Sequence, residues 1–177
     1  LGSQKYHISE RHHRCKTDKH ISIRMKKIFY ISLLLYLSLT ATAQDDIRAA
    51  FPRASDTKER AAAFYEMMSR KSVREPLVQA YLGAAQMIYA KYFTKNRQEY
   101  LRRGKENIEA AIRQSPQSIE IRMIRLSIQE NLPKIVPYHR NIAEDKRFIL
   151  DHIDSQDDIL KEYILAYIAR SKSFANK

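Results

Sequence analysis

The chain has 177 residues and a formal net charge of +12, with 32 Lys and Arg against 20 Asp and Glu. That length allows one domain of ordinary size, or one domain behind an unstructured leader. The single cysteine, Cys15, excludes a disulfide framework, and the chain beyond it holds no thiolate for a metal site, so the fold must rest on its hydrophobic core.

Residues 1–24 are polar, His-rich and without period, and are expected to be a non-native or disordered leader. His7, His12, His13, Cys15 and His20 are ligand types that suit zinc, but their spacing matches no standard finger. Met25-Lys26-Lys27 then supplies a short cationic start, Ile28 to Leu39 an apolar run, and Thr40-Ala41-Thr42-Ala43 small residues before Gln44. These parts in this order read as a secretory signal peptide over residues 25–43, cleaved between Ala43 and Gln44. The apolar run is shorter than the roughly 20 residues that span a bilayer, so no stable membrane anchor is expected after cleavage. The mature chain is then expected in the periplasm or outside the cell. Of the net charge, +6 lies in residues 1–43 (eight basic, two acidic), which leaves 24 − 18 = +6 for the rest.

From Gln44 onward the low glycine content, the abundance of Ala, Leu, Ile, Glu, Lys and Arg, and an apolar rhythm of three to four residues predict helices throughout. The first runs from about Thr57 to Lys71, with Asp56 and Glu59 as a capping box and Ala61, Phe64 and Met68 as its stripe. The second starts near Pro76, which suits a first helical turn. Its apolar stripe is Val78, Tyr81/Leu82, Ala85, Ile88/Tyr89 and Tyr92. The third covers about Arg97 to Gln114, with Leu101, Gly104, Ile108 and Ala111/Ile112 inward and Ser115-Pro116 ending it. The fourth, Ser118 to Asn131, is apolar over so wide an arc that it must pack on two sides.

Pro133 and Pro137 bracket a turn. The fifth helix follows to about Ile153, through Ile142 and Ile149, and the sixth spans Asp158 to Ser171. Residues 173–177 are expected to fray. Short connections make antiparallel helical hairpins the economical arrangement. The expected fold is all-α: a single domain over residues 45–172, with five to six antiparallel helices in a repeat-like stack.

Gly104, Ile108, Ala111 and Pro116, spaced four, three and five apart, together with the Leu82-Gly83 pair, carry a resemblance. They resemble a divergent tetratricopeptide repeat over about residues 76–116. The interval from Gly83 to Gly104 is longer than in a standard repeat, and no second copy of the motif follows. The resemblance implies a repeat-like helical stack whose role is to hold another protein or peptide.

Few residues after the signal point to chemistry. His139 and His152 stand thirteen positions apart, too far along one helix to share a metal. Asp151, Asp154, Asp157 and Asp158 lack the glycine turn and closing Glu of a calcium loop, and helix capping accounts for the last two. Arg97, Arg102, Arg103 and Lys105, interleaved with Tyr100, read as a solvated helix face, and export argues against nucleic acid as a partner.

Arg122 and Arg125 project from the most apolar helix and form a polar strip with Gln129, with Glu120 and Glu130 near in sequence. Exposure with weak ion pairs is the commoner fate of such a strip. If it faces a groove instead, the two guanidiniums could grip a carboxylate or a peptide C-terminus. The expected function is a non-catalytic interaction module binding a protein or peptide in the cell envelope, without cofactor or metal. The alternatives are an enzyme whose site assembles in three dimensions, with Arg122, Arg125, Tyr138 and His139 as its group, or a binder of an anionic envelope polymer or lipid.

Overall fold

The computed structural model describes residues 44–175, and every regular element among them is helical. Helix α1, residues 44–50, runs into a 3-10 turn, Phe51–Arg53. There follow α2 (Lys58–Ser69), α3 (Pro76–Tyr92), α4 (Arg97–Gln114), α5 (Ile119–Asn131) and α6 (Ile142–His152). A second 3-10 turn, Ile153–Ser155, leads to α7 (Asp158–Ile168) and a short α8 (Lys172–Ala175). The leader 1–24 and the signal segment 25–43 lie outside the described residues. The packing that follows is that of the unit from Ile47 onward.

Helix starts follow from local chemistry, with one correction. Thr57, not Asp56, caps α2: its extended backbone lets the hydroxyl accept the Arg60 N–H at 3.2 Å. Asp56 instead receives a side-chain bond from Arg60 at 2.8 Å. Ser118 and Asp157 cap α5 and α7 in the same way as Thr57, accepting from the N–H groups of Ile121 and Leu160. Pro76 sits in the first turn of α3, where a missing N–H costs nothing.

The most extensive helix pair is α3 with α4. Gln79 bonds to Asn107 and Gln114, Gln86 to Asn107, and Arg97 to the Ala90 carbonyl, so numbers rising along α3 meet numbers falling along α4. The two helices therefore run in opposite directions. Gly83 and Gly104 set their separation. A Cβ on Gly83 would stand 2.6 Å from the Gly104 carbonyl oxygen, and one on Gly104 would stand 2.7 Å from that of Gly83.

Helix α5 lies between α3 and α6, burying Ile119, Ile121, Met123, Ile124, Leu126 and Ile128. Helix α3 is almost as enclosed, through Ala80, Tyr81, Ala84, Ala85, Met87 and Ile88. Of the expected frayed tail at 173–177, residues 176–177 lie outside the described residues, and over 173–175 the chain departs from that expectation. Through Ala175 it is helical and held by the Glu130 carboxylate, which accepts from the Ser171 hydroxyl at 2.6 Å and the Ser173 N–H at 3.0 Å. Lys146 adds a bond to the Ser173 carbonyl at 2.7 Å, and the Phe174 ring meets Tyr167 edge-on. No helix among the described residues is long and apolar enough to cross a membrane.

Candidate functional site

The polar strip of α5 faces α6, not solvent. Arg125, whose side chain is 3% exposed, donates Nε–H and Nη2–H to the two oxygens of Asp145, both at 2.7 Å. A second pair joins its Nη1 to Glu109 on α4 at 3.2 Å. Arg122 bonds to Glu144, to Asp145 at 3.1 Å and to the Pro116 carbonyl, with its guanidinium 4.6 Å from the Phe148 ring centroid. Gln129 continues the strip, its amide 3.5 Å from Asn141 Oδ1. Exposure is thus corrected to burial. An apolar helix between two neighbours has no solvent face, so its arginines must find carboxylates on those neighbours.

Tyr138 joins the same network by donating its hydroxyl to Glu109 at 2.7 Å. Burial, reinforced by that carboxylate, pushes its pKa well above the ordinary tyrosine value, so the phenol is held protonated as a donor. Burial works against the charge of Arg125, but the Asp145 carboxylate outweighs it and the guanidinium is held more firmly ionised. Glu144 is kept below the usual carboxylate range by bonds from Asn141 and Arg122. His139 stands apart. Its ring nitrogens face the Gln129 and Pro133 carbonyls at 2.8 and 3.3 Å, which ties the preceding loop to the end of α5.

Three of the four residues picked from the sequence therefore meet in one ionic network, but their polar atoms are engaged by the shared carboxylates of Glu109, Glu144 and Asp145 and by the Pro116 carbonyl. The cavity of about 400 Å³ that touches this network is lined by Arg122, and by none of Arg125, Tyr138 or His139. Glu120 and Glu130, near the arginines in sequence, serve other partners. Glu120 accepts two bonds from Arg48, at 2.9 and 2.6 Å, and one from the Tyr81 hydroxyl at 2.7 Å. On α4, Arg102 pairs with Glu99 and Glu106, and Arg103 with Glu99, which makes that face a set of exposed intrahelical ion pairs. No group of three or more His, Cys, Asp or Glu among the described residues is placed to hold a metal.

A second site was not singled out from the sequence. An apolar cleft of about 490 Å³ opens between the end of α3, the first turns of α4, the end of α5 and the loop 132–136. Met87, Ile88, Leu101, Ile128, Leu132 and Val136 supply its apolar walls, and Ile135, 90% exposed, stands at its lip. Lys91, Arg97 and Lys172 also line it. Each donates to a neutral oxygen: Lys91 to the Ser55 carbonyl, Arg97 to that of Ala90 and Lys172 to the Asn131 side chain, each at 2.9 Å. None of the three forms an ion pair among the described residues.

A cleft of this size lies within the range of about 300–1,000 Å³ usual for ligand sites. The sequence signal for it was the pair Ile135 and Val136, apolar side chains in the turn bracketed by Pro133 and Pro137, directly after Leu132. Comparison of the chain with protein-family models, curated proteins and solved structures finds no match.

Proposed function

We propose that this chain is exported under the direction of residues 25–43 and acts in the cell envelope as a non-catalytic helical module that binds a protein or peptide. The observation that carries the reading is the apolar cleft beside α3, α4 and α5, with Ile135 projecting at its lip. An aliphatic side chain left almost wholly in water beside an apolar cleft gains by being covered, at about 1.5–3 kcal/mol for a full burial. The polar residues that would have formed a reactive group support the same reading, because their hydrogen-bonding capacity is already taken up between α4, α5 and α6. The close approach of Gly83 to Gly104 supports a tetratricopeptide-like packing over residues 76–116, with the helices arranged as a repeat-like stack.

The test places a photo-cross-linking side chain at position 135 of the full-length chain in its native cells. A discrete protein adduct is expected, and it should disappear in the same chain carrying Val136→Asp in the cleft wall, provided helix content is retained. Absence of any adduct under conditions where the probe reacts with water would remove the binding reading. N-terminal analysis of the recovered protein tests export separately. A chain starting at Gln44 is expected, and one retaining Leu1 or Met25 would remove that part of the proposal.

A further inference from the structure

We infer that the occupant of the cleft is an acidic peptide segment of the partner, with apolar side chains in the cleft and carboxylates held by Lys91, Arg97 and Lys172. The inference rests on the binding reading above and deepens it. The argument is charge complementarity. Exposed cations without an ion pair, such as Lys95 and Lys105, also occur elsewhere on the described residues, but here they converge on an apolar cleft. Three exposed cations from three different elements line it, each resting on a neutral oxygen, and no Asp or Glu is among its lining residues.

Like charges gathered around an apolar surface repel one another, and that cost is relieved when an occupant brings negative charge. A purely apolar occupant would leave the cations unmatched. A single carboxylate would match one of three. A segment with two or three acidic side chains beside its apolar anchors satisfies both the walls and the rim. The neighbouring cavity of about 180 Å³, which shares Ser55, Ile88, Ile128 and Asn131 with the cleft, holds both Arg170 and Glu130, the latter engaged by Tyr167, Ser171 and the Ser173 N–H, so the unmatched cations belong to the cleft itself.

Binding to the full mature chain is measured by fluorescence anisotropy with a labelled peptide that has a leucine–phenylalanine core and flanking glutamates. A counterpart with glutamines in place of the glutamates and dodecanoate as a competitor complete the set. The glutamate peptide is expected to bind about tenfold more tightly than the glutamine peptide, the sum of three partly exposed pairs. The difference should shrink as salt shortens the range of the attraction. The double variant Lys91→Gln, Lys172→Gln should erase most of that preference. Equal binding of the two peptides would overturn the acidic inference and leave the binding module standing. Saturation by dodecanoate with no peptide binding would overturn it in favour of a long-chain carboxylate. Failure of both peptides, while the adduct at position 135 still forms, would also overturn it without touching the broader reading.

Discussion

Asp145 is wholly buried and lies between two guanidiniums, and its removal tests whether the α5 strip is a structural clasp. In Asp145→Asn the Arg125 guanidinium would lose one of its two shortest bonds and its nearest negative charge, with Glu109 at 3.2 Å and Glu144 at 3.7 Å as the remaining charged partners. Stranding a buried charge costs about 3–5 kcal/mol, whereas an exposed pair such as Arg70 with Glu66 is worth about 0–1 kcal/mol. Urea denaturation should therefore show a large loss for Asp145→Asn and almost none for Glu66→Gln. Similar midpoints for the two variants would mean that Arg125 reaches water when its partner is gone. At this scale the sequence was partly informative. The sequence singled out Arg125 inside an apolar run but favoured its exposure over a buried partner. Nothing local identified Asp145, twenty residues ahead, over the nearer Glu120 or Glu130.

Helix boundaries and inward faces depend on short-range periodicity, and they were read closely from the chain. Helix α4 spans Arg97–Gln114 as expected, and α5 begins one residue after its cap. The contact between α3 and α4 adds a constraint that periodicity does not express. In an exposed helix Gly83→Ala would gain about 1 kcal/mol of helix propensity. Here the new methyl group would meet the Gly104 backbone carbonyl at 2.6 Å and the Ile108 side chain at 2.9 Å. A carbonyl inside a helix cannot swing aside, so the pair must separate, at a net cost of about 1–3 kcal/mol. Thermal unfolding of Gly83→Ala is expected to show a lower midpoint with helix content kept. A rise in the midpoint would show that the helices can part cheaply. The cap of α2 illustrates the opposite limit. Both Asp56 and Thr57 are capping residues by type, and only the backbone angles of Thr57 decide between them.

For the whole molecule, the buried tyrosines give a signed pH dependence. Burial raises the pKa of Tyr81, Tyr138 and Tyr167 well above the ordinary value, and that of Tyr163 to about 12. An unfolded tyrosine ionises near pH 10. Below that pH both states hold the phenolic protons, and the stabilisation is fully present. As pH rises further, the unfolded chain releases protons that the folded chain retains, so stability falls by about 1.4 kcal/mol per pH unit per tyrosine. For Tyr163 the loss is complete once pH passes about 12. Phenolate absorbance and helical circular dichroism, followed together through an alkaline titration, should show exposed tyrosines ionising near pH 10 with helices intact. The remainder should ionise only as the helices melt. Ionisation of every tyrosine near pH 10 in a folded chain would contradict the burial of these rings.

The sequence by itself determined the helical class, the positions of α2 to α7 and the two-sided burial of α5, because each follows from spacings of three and four residues and from caps within one turn. The tertiary structure decided which way the Arg122–Arg125–Gln129 strip faces, that the chain is pinned through Ala175, and that Lys91, Arg97 and Lys172 share one apolar cleft. These depend on which distant segment returns to a given face. Arg48 and Glu120 lie 72 residues apart, and Ser171 and Glu130 lie 41 apart. Such pairings are chosen by the packing of the whole core, and no local pattern of residues encodes them.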